Sequence, residues 1–79
     1  MVRLELREIS DDKVVYTYYP ENMLDHPGVV GMDRRTEKPL FIQDAVGDPV
    51  KMYANQAYLR IKDYARANDF RKVGAVCFY

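Results

Sequence analysis

At 79 residues the chain is a single small domain, 1–79, so short that much of its surface stays exposed and every apolar element has to feed the core. Hydrophobic residues make up 48% of it, which excludes a disordered tail. The 12 basic and 12 acidic side chains cancel, excluding a general pull toward phosphate backbones or anionic membranes and leaving nucleic-acid binding to a local patch.

The first element is "VRLELREI", about 2–9, where Val2, Leu4 and Leu6 alternate with Arg3, Glu5 and Arg7 as in a half-buried strand. Nothing at this end has the long apolar core of a signal peptide, and no run approaches transmembrane length. Turn residues "SDD" separate that strand from a second, about 13–19, whose "KVVYTYYP" is β-branched and aromatic until Pro20 stops the ladder. Loop length sets the register of this hairpin. A three-residue loop places Leu6 across from Tyr16 and Leu4 across from Tyr18, so that Val14, Tyr16 and Tyr18 face the core. A two- or four-residue loop would put Val15, Thr17 and Tyr19 there instead. The first arrangement gathers the larger apolar set and is the favoured one.

After the loop "ENMLDHPG" a second hairpin pairs strands at about 29–33 and 39–45 around the charged turn "RRTEKP". Asp48 as N-cap and Pro49 as first helical residue open a helix over about 49–68. Its apolar stripe runs Val50, Ala54, Ala57, Ile61, Tyr64 and Ala65, edged by Tyr53 and Tyr58. The closing "VGAVCFY", about 73–79, has no charge on either face, and such a strand is expected inside the sheet, covered on both sides. The architecture is α+β, a two-layer β-β-β-β-α-β domain with one helix packed on one face of a mainly antiparallel sheet.

One helix covers only the middle of one sheet face, and the opposite face has no element left to cover it. Apolar and aromatic side chains on that face mark a contact surface formed by Val15, Thr17 and Tyr19 and, on the closing strand, Cys77 and Tyr79. Met52 and Leu59, opposite the helical core stripe, read either as scattered surface hydrophobes or as a second contact patch.

Chemistry-bearing residues are sparse. His26 beside Asp25 could act as an oriented base or a metal ligand, but "DHPG" is also ordinary loop sequence, and no second histidine or cysteine pair completes a metal shell. Cys77 is the only cysteine; it forms no intrachain disulfide, fits a reducing cytoplasm, and reads as a small core residue. Asp11 with Asp12, and Asp44 with Asp48, are accounted for by a turn and a helix cap. No phosphate-binding glycine loop is present, so neither cofactor nor metal is implied. Basic residues gather at Arg34, Arg35 and Lys38 and again at Arg66, Arg71 and Lys72; they serve nucleic acid only if both groups meet on one face.

"YTYYPE", the short "GVV" strand, "YANQAYLRIKDYARANDF" and the aromatic "VGAVCFY" together resemble small uncharacterised bacterial or bacteriophage proteins of about this length. That resemblance implies a compact α+β domain and carries no activity or site residue with it. The expected function is a non-catalytic, cytoplasmic protein-interaction module, homodimeric through the open sheet face or bound to another protein, and without membrane contact. The alternative is a nucleic-acid-binding accessory protein using Arg34, Arg35, Arg66, Arg71 and Lys72.

Overall fold

The alternating N-terminal residues form β1 (Val2–Ile9) and the tyrosine-rich segment forms β2 (Lys13–Pro20) in the computed structural model, which describes residues 1–21, 24–48 and 50–76. The two strands pair antiparallel with Leu4 opposite Tyr18 and Leu6 opposite Tyr16. This is the favoured register, reached by a different route. The Ser10 amide donates to the Lys13 carbonyl at 2.9 Å, which closes a two-residue loop at Asp11 and Asp12; the Ser10 hydroxyl accepts from the Asp12 and Lys13 amides. Left alone, that loop would turn Val15, Thr17 and Tyr19 toward the core. A bulge between Leu6 and Glu8 takes up Arg7 and restores the other alternation. Val14, Tyr16 and Tyr18 outweigh Val15, Thr17 and Tyr19 in apolar area, which is why the extra residue is tolerated.

β3 (Gly28–Asp33) and β4 (Pro39–Gln43) extend the sheet beyond β2, and β5 (Val73–Val76) adds to the free side of β1, in the order β4-β3-β2-β1-β5. All pairings are antiparallel. The closing strand is therefore an edge, not the interior strand its composition suggested. β1 is flanked by β2 on its other side, so the last strand can join only at the margin. Val73 there is 55% exposed. The central position belongs to β2.

The helix α1 (Met52–Ala67) packs Ala54, Ala57, Ile61 and Tyr64 onto Leu4, Val14, Tyr16, Tyr18, Val30 and Met32. It starts later than the sequence suggests. Lys51 holds the N-cap position in a left-handed conformation (φ 57°) with no side-chain cap bond of its own. Asp48 does the capping from upstream: it is 2% exposed, and its carboxylate accepts the amides of Tyr53 and Ala54, both at 3.0 Å. Val50, expected on the buried stripe, precedes the helix and is 77% exposed. Pro49, expected as the first helical residue, lies outside the described residues.

Two hydroxyls of the inward tyrosines fasten the layers. Tyr18 donates to Asp48 Oδ2 at 3.3 Å and accepts the Ala45 amide at 3.1 Å, so one phenol joins the central strand, the loop after β4 and the helix start. Its ring lies on Gly28, directly across the ladder, where any β-carbon would overlap it. Tyr16 donates to the Arg71 carbonyl at 2.6 Å, just before β5, and its ring lies 5.9 Å from that of Tyr64. Burial pushes the Tyr18 hydroxyl up to about 12 and that of Tyr16 higher still. Both therefore remain neutral donors across the physiological range.

Candidate functional site

Strand alternation places Arg3 and Glu5 of β1, Val15, Thr17 and Tyr19 of β2, Val29 of β3, and Val73 and Ala75 of β5 on the sheet face away from α1. No element among the described residues lies over this face. Its middle is nevertheless closed. Val15 is 4% and Thr17 6% exposed, because β2 is central and side chains from both neighbouring strands crowd over its short residues. The Arg7 guanidinium, on the bulge, donates to Thr17 Oγ1 at 3.3 Å. Tyr19, half-buried, donates its hydroxyl to Glu5 Oε1 at 2.9 Å, while Arg3 Nη2 binds Glu5 Oε2 at 3.1 Å. The hydrogen bond to Glu5, and then burial, raise the Tyr19 hydroxyl above its ordinary range. Arg3 Nε is buried without a partner.

The predicted contact residues are thus divided by depth. Val15 and Thr17 form a floor that a partner would not reach, Tyr19 stands at the surface within a charged lattice, and Cys77 and Tyr79 lie outside the described residues. The exposed apolar part of the face lies instead at its margin, at Val73 and Ala75. Met52 and Leu59 are both about half exposed on α1, at 47% and 48%.

Other exposed apolar side chains gather beyond the β4 end. The Val46 amide donates to the His26 carbonyl at 3.2 Å, which sets the loop carrying Leu24 beside Val46; the Lys51 ammonium lies 5.2 Å from the Phe41 ring centre and bridges to Asp44. His26 itself is exposed in a left-handed turn conformation (φ 55°), with no acid or base among the described residues bonded to it. No group of three or more potential metal ligands forms among the described residues.

The basic groups meet in part. Arg34 stacks on Phe70 with its guanidinium carbon 5.1 Å from the ring centre and donates to the Ser10 carbonyl at 2.7 Å, which brings the β3–β4 turn alongside the segment that leads into β5. Two of the cations there already have an acidic partner. Arg35 pairs with Asp12 at 2.9 Å and Arg71 lies 3.7 Å from Asp69.

Sequence reasoning missed a groove of about 470 Å³ between β5 and the second half of α1, lined by Arg60, Asp63, Tyr64, Ala67, Asp69, Arg71 and Val73 to Ala75. Its signal was present in the uncharged "VGAV", which fits an open edge as well as a covered interior. No protein-family model, curated protein or solved structure matches the chain. No helix among the described residues is long and apolar enough to cross a membrane.

Proposed function

We propose that the protein is a small non-catalytic protein-interaction module, cytoplasmic, that works as a homodimer through the side of the sheet that α1 leaves open. The observation that carries this reading is the one-sided layering. A 16-residue helix, about 24 Å long, serves five strands on one face, and among the described residues the other face has no layer of its own. The outer groups on that face, Arg3, Glu5, Arg7 and Tyr19, carry both signs of charge, which suits contact with an identical surface related by a twofold axis. Light scattering coupled to size-exclusion chromatography tests it. The wild type should run as a dimer at high concentration, and Tyr19→Glu, which sets a second carboxylate against Glu5, should weaken it. A wild type that stays monomeric at every concentration sinks the reading.

The Arg34–Phe70 stack supports a second reading, a nucleic-acid-binding accessory protein that uses Arg34, Arg35, Arg66, Arg71 and Lys72, since an aromatic ring beside a guanidinium is a site for an unpaired base. Binding of single-stranded oligonucleotides at low salt, lost on Arg34→Glu, would favour it; absence of binding at low salt ends it.

A further inference from the structure

We infer that the homodimer forms along the outer edge of β5, where a second copy of the chain lays its own β5 antiparallel to the first about a twofold axis at Gly74, and the two sheets become one. This rests on the homodimer reading above and moves its surface from the middle of the open face, where Val15 and Thr17 are buried, to the margin of the sheet.

The two edges of the sheet are not equivalent. β4 begins at Pro39, which has no amide proton to offer, and its pairing with β3 is broken by an irregularity between Val29 and Val30. Val73–Val76 has no proline, no charge and no break in its pairing with β1. It lacks the devices that keep a sheet margin from pairing with another strand.

The direction of its free groups follows from a single bond. The Leu6 amide donates to the Lys72 carbonyl at 2.8 Å, so Lys72, Gly74 and Val76 pair inward with β1, and the alternation of an antiparallel ladder turns the amides and carbonyls of Val73 and Ala75 outward. A twofold axis at Gly74 sets Val73 of one copy against Ala75 of the other. Every outward donor then meets an outward acceptor.

Space and charge agree with this occupant. The groove of about 470 Å³ runs along the free edge, and on the helix side Gly74 is covered by the Tyr64 hydroxyl, so no β5 side chain blocks an incoming strand there. The walls hold Arg60 and Arg71 together with Asp63 and Asp69, two charges of each sign. A surface of that kind complements a twofold copy of itself, whereas a peptide of one charge sign would meet its own sign as well. The incoming strand must also be extended, as β5 itself is.

The interface is small, at the low end for specific complexes, so the dimer should dissociate on dilution. Sedimentation equilibrium over a dilution series is the test. Ala75→Pro removes an outward donor from each copy and leaves the bonds to β1 in place; losing two backbone hydrogen bonds should weaken self-association about thirtyfold. Val73→Lys, which sets like charges close to the axis and keeps the backbone intact, should weaken it as well, and far-UV circular dichroism should show both variants folded. In the wild type, the Val73 and Ala75 amides should become protected from hydrogen exchange as concentration rises. A dimer that persists in both variants, but falls apart with Tyr19→Glu, overturns the edge and keeps the face. A wild type that is monomeric throughout, including one that binds extended peptides instead, overturns the homodimer reading and the edge with it.

Discussion

Replacing Asp48 by alanine should cost far more than a surface cap would. The side chain is 2% exposed and its two oxygens take three donors: the Tyr53 amide at 3.0 Å, the Ala54 amide at 3.0 Å and the Tyr18 hydroxyl at 3.3 Å. Loss of a helix cap alone costs about 1 kcal/mol. Ala54 is buried, so its amide is left without an acceptor where water does not reach, adding roughly 1–3 kcal/mol. Tyr18 retains its bond from the Ala45 amide and loses only the partner on the helix side. The sum, about 2–4 kcal/mol, is a large share of the 5–15 kcal/mol typical of whole domains and corresponds to a fall in Tm of roughly 10–25 °C for a domain this small. Urea and thermal unfolding followed by far-UV circular dichroism give the value directly. Tyr18→Phe, combined with Asp48→Ala in a double-mutant cycle, should show a coupling of about 1 kcal/mol, because each partner's loss already removes the shared bond. A drop below about 0.5 kcal/mol for Asp48→Ala, or no coupling to Tyr18, would refute the argument that this carboxylate ties α1 to the central strand.

Stability should also fall in alkali. The Tyr18 hydroxyl is held up to about 12 in the fold and titrates near 10 in the unfolded chain, so its contribution is complete below pH 10 and is lost as pH rises toward 12, about 2–3 kcal/mol in all. Urea midpoints measured on either side of that window should decline, and less so in Tyr18→Phe. Gly28→Ala should destabilise by about 1–3 kcal/mol, since the new methyl overlaps a ring that Asp48 and Ala45 hold in place; unchanged thermal stability would mean the ring moves freely. At the helix end Asn68 is left-handed (φ 53°), and its amide bonds the Ala65 carbonyl at 3.1 Å. Asn68→Gly should raise stability by a few tenths to about 1 kcal/mol and Asn68→Ala should lower it by a similar amount, both read from unfolding midpoints.

The alternation of "VRLELREI", the β-branched and aromatic run after it, and the helical spacing of Ala54, Ala57, Ile61 and Tyr64 were enough to establish the α+β class and the order of the elements. The inward direction of Tyr16 and Tyr18 was only favoured over its alternative, by way of a three-residue loop that the structure replaces with a two-residue loop and a bulge. Period and side-chain size are local properties, and both are written in the chain. Three things were decided only by tertiary structure. The bulge at Arg7 is invisible locally, because a two-residue and a three-residue loop suit "SDD" equally well and only the competition between the two faces selects between them. The start of α1 moved to Met52 because Asp48, a sound local cap, is held by Tyr18 from a strand 30 positions earlier. And "VGAV" became an edge because an uncharged strand looks the same from within whether or not a neighbour lies alongside. Composition describes a strand's two faces, while its position in the sheet depends on which other strand still has an unpaired side to offer.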